Sequence, residues 1–377
     1  MKEVSVAVKQ IDKIRYAVVG LGHIAQNAVL PGFTQSKANS ELVALVSGDE
    51  VKLQKLSKEY NVDYTFDYSD YRKMLYSGLI DAVYISLPND MHARFAVEAM
   101  QAGVHVLCEK PLAMSVEDAK VMAQVSEKTG SRLMTAYRLH FQRANLKAIE
   151  IARSGQVGDV RFFNSVFSMR VKEGNVRTSR TKGGGPLYDI GIYCINAVRG
   201  FFGELPEEVF AFAHQGFDQR STEVDEMLSV VMKFSGGRMA TFICSFSGHH
   251  QAAFDVVGTT GCLRLENAYE YFDDMTLHFS RVNAAPRKYK FKKSDQFGPE
   301  IVYFSDCLIN KKHPEPNATE GVLDLMVIEA IMKSVKLRKP VTLTALSKTL
   351  HPTLRQALRR PAVEKPFTIH VEAPSMD

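Results

Sequence analysis

Residues 14–25 read IRYAVVGLGHIA. The apolar run Tyr16-Ala17-Val18-Val19 stops at Gly20, Gly22 follows two residues later, and Ala25 three after that. This is the G-x-G-x-x-A turn that joins a buried strand to a helix in dinucleotide-binding sheets. Gly20 permits the sharp turn, Gly22 lets a pyrophosphate come close to the backbone, and the small Ala25 lets the helix lie near its strand. Amides at the helix start, where His23 and Ile24 stand, then face a phosphate anion. A plain tight turn would use the same glycines. The apolar run before them and the second strand at the right distance favour the dinucleotide reading.

Working outward, apolar runs at 41–47, 64–66, 82–86, 105–108 and 132–136 read as strands. Helices are expected from residue 50, over 70–76, from His92, and from a Ser115/Asp118 capping box to about residue 129. Pro31 is expected to bend or end the first helix. Alternating strands and helices predict an α/β fold opening with a doubly wound parallel Rossmann sheet. We assign residues 1–136 to this NAD(P)-binding domain, with 1–12 as a loose lead-in. After a helix over 143–154 the pattern becomes strand-rich, at 160–171, 207–212, 227–234, 238–246, 254–257, 262–266 and 276–279. Gly236-Gly237 between two alternating runs signals a hairpin. Residues 137–377 are therefore read as a C-terminal α+β domain with a large open, mainly antiparallel sheet. It carries two late helices, near 301–310 and 323–337, and an extended arm over 352–377 that packs on the body or on a partner subunit.

Ligands of open α/β sheets sit at the carboxyl ends of the strands. Strand two ends in Ser47-Gly48-Asp49, with Lys52 one helical turn on. Ser47 and Lys52 suit the 2′-phosphate of NADP, whereas Asp49 suits the ribose diol of NAD; Lys52 also reads as an ordinary solvated lysine. Strand four ends in Leu87-Pro88-Asn89, and His92 either touches the cofactor or caps its helix. Strand five runs into Glu109-Lys110-Pro111, which holds Lys110 near the nicotinamide position. Strand six leads to Tyr137-Arg138, and Arg138 completes the candidate cofactor contacts.

In the second domain, Gly183-Gly184-Gly185-Pro186-Leu187-Tyr188 leads into Asp189-Ile190-Gly191-Ile192-Tyr193. Asp189 and Tyr193, four apart on a helix, project a carboxylate and a phenol from one face. A structural reading is also open, with Asp189 serving the amides of the glycine loop and Tyr193 filling core.

Bulk properties bound these readings. The 377 residues are 45% hydrophobic and 24% charged, with a net charge of +5. That length suggests two domains. No apolar run approaches the roughly 20 residues needed to span a bilayer. The first residues lack a signal core, so a cytoplasmic location and no membrane association are expected. Five dispersed cysteines suggest reduced thiols and no zinc site. The basic stretch 287–293 alternates with Tyr289 and Phe291, as on a half-exposed strand, and is not read as a nucleic-acid surface. His249 and His250 are adjacent and point to opposite strand faces, so no metal is implied.

The pieces VVGLGHIA, VSGDEVK, DAVYISLPNDMH, HVLCEKPLAMS, AYRLHF and GGGPLYDIGIYCIN, in that order, resemble the Gfo/Idh/MocA oxidoreductase family. The resemblance covers roughly residues 14–200. It implies a Rossmann domain, a second domain with an open sheet, and homodimers or homotetramers built through that sheet. It puts the catalytic lysine on Lys110 and the catalytic aspartate on Asp189. Most members carry histidine four residues later; Tyr193 stands there, as in the glucose–fructose oxidoreductase branch. That branch's NADP segment is similar to VSGDEVK, with Ser47 and Lys52 at its phosphate contacts. Its tryptophan–arginine pair is missing: Asn175-Val176 stand there, with Arg177 as a neighbouring cation, so its sugar specificity does not transfer.

These readings predict hydride transfer between a sugar or polyol carbinol and NADP, with NAD as the other cofactor choice. Tyr193 is the acid/base, Lys110 the cation favouring its phenolate, and Asp189 the orienting carboxylate. Two alternatives are a non-enzymatic NAD(P)-binding sensor and an enzyme that keeps its NADP bound while oxidising one sugar and reducing another.

Overall fold

The computed structural model describes residues 13–216, 223–344, 352–371 and 373–375. The lead-in expected over residues 1–12 lies outside them. β1 (Ile14–Val19) is buried at all but one position because neighbours pair with it on both edges. They are β2 (Ser40–Val46), which pairs in parallel with β3 (Tyr64–Phe66), and β4 (Ala82–Ile85), followed by β5 (His105–Glu109) and β6 (Leu133–Ala136). The strand order β3-β2-β1-β4-β5-β6 is wholly parallel. It places the topological switch between β1 and β4, so the crevice opens where Gly20 and Leu87 end those strands.

Helices α1 (Leu30–Thr34), α2 (Glu50–Tyr60), α3 (Tyr71–Leu75), α4 (Asn89–Gln101) and α5 (Val116–Thr129) make the crossovers. Local chemistry sets several ends. The Asp49 carboxylate accepts the Lys52 N–H at the start of α2, and the Ser115 hydroxyl accepts that of Asp118 at the start of α5. Left-handed Asn61 and Gly130 end these two helices. Pro31 does not end its helix. A π-helical turn over Ala25–Val29 precedes it, and the helix continues to Thr34 with the proline in the first turn of α1, where a missing N–H is tolerated.

The second sheet follows α6 (Arg143–Arg153). Its strands are β7 (Val160–Ser168), then, after α7 (Ile192–Phe202), β8 (Glu208–His214), β9 (Met227–Lys233), β10 (Met239–Ser245), β11 (Gln251–Gly258), β12 (Gly261–Glu266), β13 (Met275–Arg281) and β14 (Arg287–Phe291). After α8 (Phe297–Ile309) and α9 (Ala318–Leu337), the short β15 (Val341–Thr342) pairs with β8. Among the described residues this sheet has nine strands, antiparallel except where β7 meets β10. Gly236 and Gly237, both at positive φ, make the turn between β9 and β10.

α8 crosses back to the first sheet. Its Ile301 and Phe304 are fully buried with Tyr16 and Leu45, and the Ser305 hydroxyl lies 2.8 Å from that of Tyr16. The region expected to form the second domain therefore supplies part of the first core. α6, α7 and α9 cover one face of the nine-stranded sheet. The register puts Phe212 and Ile243 in one row of the opposite face, Val231 in the next, and Met239 with Phe162 in a third; all five are exposed. Among the described residues no helix is long and apolar enough to cross a membrane.

Candidate active site

A cleft of about 880 Å³ runs from the glycine turn to the start of α7. Gly22, His23 and Ile24 line its outer part, and a Cβ built on Gly22 would meet nothing within 4 Å. The backbone there is open to a ligand, and the amides ahead of Gln26, whose N–H is the first to bond back to Gly22 O, have no helical acceptor. That arrangement fits a dinucleotide pyrophosphate. Gly20 serves otherwise. Its φ is +92°, and a Cβ would stand 2.8 Å from Ser86 O, so it lets β1 end against β4 and does not line the cleft.

At the other end, the Lys110 ammonium donates to Asp189 O at 2.8 Å and lies 3.2 Å from Asp189 Oδ1. The same ammonium sits 4.9 Å from the centre of the Tyr193 ring. Arg177 Nε reaches Asp189 Oδ2 at 2.7 Å. Burial opposes ionisation of Asp189, but Arg177 and Lys110 outweigh it and hold its pKa at about 2. Burial also works against the Lys110 ammonium, and there Tyr193, Asp189 and Glu109 prevail and raise its pKa. The carboxylate and the ammonium are thus both charged at neutral pH.

The glycine run is what lets this corner close. A Cβ on Gly184 would lie 2.3 Å from Arg177 O, and the Gly185 N–H donates to that same carbonyl. The Asp189 side chain does not serve the loop's amides; it goes to the two cations. A π-helical turn over Leu187–Gly191 precedes α7, and Gly191 allows close packing on Cys244 of β10, not on a ligand.

Of the expected cofactor contacts, Gly20, Ser47 and Gly48 do not line the cleft. Ser47 is buried, its hydroxyl accepts the Asp49 N–H, and neither it nor Gly48 lines the cleft. His92 lines the cleft although it is almost closed off from water, and it caps nothing. Its ring nitrogens lie 2.8 Å from Pro111 O and 2.9 Å from Leu87 O, which ties the two strand-end loops together. Arg138 lines the cleft at its inner end, with its guanidinium about 5 Å from the rings of both Tyr193 and Tyr271. Gln296 and the Tyr269 carbonyl hold it there, far in chain position from any phosphate motif. Leu87, Pro88, Asn89, His92, Glu109 and Lys52 line the cleft as well, and Asn89 Nδ2 donates to Gly183 O across it at 2.8 Å.

Glu109 is also half of an acidic pair that the sequence does not reveal. The Tyr84 hydroxyl lies 2.9 Å from Glu109 Oε1 and 2.9 Å from Glu300 Oε1. A phenol has one proton, so one carboxyl must be the acid. Burial, then the Glu109 charge, push Glu300 well above the ordinary carboxylate range, and its Oε2 has no partner. Also unexpected are Lys365, His370 and residues 373–375 of the C-terminal arm, which form part of the cleft wall.

Residues 14–137 match a family described as an oxidoreductase family with an NAD-binding Rossmann fold, and residues 145–264 match a Gfo/Idh/MocA C-terminal domain. An uncharacterized oxidoreductase, ORF334 of Rhizobium meliloti, is 30% identical over 334 residues, spanning 86% of this chain and 98% of its own. The D-xylose 1-dehydrogenase [NADP(+)] of Haloarcula marismortui is 26% identical over 339 residues, spanning 88% and 94%. The solved aldose-aldose oxidoreductase of Caulobacter crescentus superposes with a TM-score of 0.83 at 30% identity, covering 88% of this chain and all of that one.

Proposed function

The chain belongs to the Gfo/Idh/MocA oxidoreductase family, and from that premise we propose that it interconverts a sugar-type carbinol and its carbonyl with NADP as the hydride partner. One observation carries the reading: the Lys110 ammonium lies within 5 Å of the Tyr193 ring centre and 3.2 Å from Asp189, at the far end of a cleft that begins at Gly22. When bound, the nicotinamide supplies or accepts the hydride. The protein's share is the proton and the positioning. Tyr193 exchanges the proton of the reacting hydroxyl. Lys110 hydrogen-bonds the oxygen on which negative charge grows. Asp189 fixes Lys110 and Arg177, and those two cations with Arg138 present donors to sugar hydroxyls. Lys52 in the cleft wall and the NADP-dependent relative support NADP. The apolar rows on the open sheet face support a homo-oligomer formed with a second copy of this chain, and light scattering of the purified protein checks that mass.

Purified protein with NADP and a panel of aldoses, sugar acids and polyols, followed at 340 nm, tests the reaction. Tyr193→Phe is expected to bind cofactor as before and to turn over about 100-fold or more slowly. Equal turnover overturns the role given to Tyr193. Tight cofactor binding without turnover on any substrate favours a sensor.

A further inference from the structure

The C-terminal arm crosses the mouth of the cleft and is pinned on both sides. On the Rossmann side, the Ile369 N–H donates to Gln26 Oε1 at 2.7 Å and Gln26 Nε2 returns a bond to Ile369 O at 3.0 Å. Gln26 is buried in the helix just past the glycine turn, and its Nε2 also reaches Leu21 O. On the other side, the Lys172 N–H donates to Pro374 O at 2.9 Å, and Val171 bridges to Ser375. Between these anchors His370 adopts a positive φ of 50° and places Nδ1 2.9 Å from Asp49 Oδ2.

That contact falls on the residue whose chemistry chooses between the two dinucleotides. Asp49 Oδ1 already accepts the Lys52 N–H at 3.1 Å, and Oδ2 faces both His370 and, at 3.9 Å, the Lys52 ammonium. Each oxygen already accepts one hydrogen bond and His370 lies over Oδ2, so a ribose diol has to compete with His370 for that oxygen. A 2′-phosphate arriving at the same place meets Lys52 and His370, which both line the cleft, and can take hydrogen bonds from the Lys52 ammonium and from the His370 N–H that otherwise goes to Asp49.

We propose that His370 determines cofactor specificity: the arm lays it over Asp49, removing the diol acceptor and forming with Lys52 the receptor for a 2′-phosphate. The assignment rests on the NADP reading above, and ligand binding to the full chain separates the two. Adenosine 2′,5′-bisphosphate and adenosine 5′-monophosphate differ only in the 2′-phosphate, and calorimetry measures both without turnover. Wild-type protein is expected to prefer the bisphosphate. In His370→Ala that preference drops about 10-fold or more, with monophosphate binding unchanged or tighter as Asp49 is released. His370→Lys, which supplies a donor at the same place, restores it.

A preference in His370→Ala equal to the wild-type preference overturns the assignment and leaves the NADP reading standing. Equal weakening of both ligands also overturns it, since that reports only a disturbed arm. A wild-type protein that binds the monophosphate as tightly as the bisphosphate overturns the NADP reading itself.

Discussion

Replacing Asp189 with Asn removes one charge and almost no volume from the inner end of the cleft. The carboxylate lies 2.7 Å from Arg177 and 3.2 Å from Lys110, with its side chain only 16% exposed. Its pKa falls from an ordinary 3.8 to about 2 in the folded chain. At a little over 1 kcal/mol per unit, that shift corresponds to about 2 kcal/mol favouring the folded, ionised form. The sign follows from linkage. A depressed carboxyl contributes its stability above the unfolded value and loses it as pH falls through the folded one. Wild type is therefore expected to outlast Asp189→Asn by about 2 kcal/mol or more at pH 6, where the variant leaves two cations without their anion. The gap should narrow below about pH 4 and close near pH 2. Melting curves of the two proteins side by side from pH 6 to pH 2.5 read it directly, because the other carboxyls titrate alike in both. A gap that stays constant across that range, or no gap at pH 6, refutes the charge balance drawn here.

The two glycines of the turn should fail differently. Gly20→Ala forces a Cβ to 2.8 Å from Ser86 O at a φ of +92°, and is expected to cost about 2 kcal/mol or more in thermal unfolding. Gly22→Ala should melt like wild type, since nothing lies near its Cβ, yet weaken NADPH about 10-fold in a fluorescence titration. Glu300 tests the buried acid pair: a carboxyl held protonated in the fold loses stability as pH rises above its unfolded value, so Glu300→Gln should gain on wild type in melting temperature from pH 5 to pH 8. Parallel pH profiles would show Glu300 to be ionised.

Much of this site is legible in the chain because its pieces are local. A glycine turn after an apolar run, a lysine at a strand end and a carboxylate four residues before a phenol each declare a geometry within one or two turns of backbone. What stayed hidden joins segments remote in sequence. The Tyr84–Glu300 contact spans 216 positions and the Asp49–His370 contact 321. Periodicity marks which face is buried, not which distant partner covers it. What holds Arg138 at the inner end of the cleft is remote for the same reason: the tyrosines it lies over are on α7 and after β12. Ser47 has the residue type a 2′-phosphate calls for, but it is buried outside the cleft lining, with its hydroxyl accepting the Asp49 N–H.

The arm over the cleft has a kinetic consequence. Its anchors lie on the two sides of one opening, so a long, two-headed nucleotide held in the cleft is expected to leave more slowly while both hold. Breaking the hydrogen bonds at Gln26 or at Lys172 is expected to speed its departure, and each event exposes hydrogen-bonding groups that must find water. Exchange with the surrounding pool is then expected to follow the pace of that unbuckling. An occupant reoxidised or rereduced in place, by a second visitor to the same inner chamber, escapes that delay.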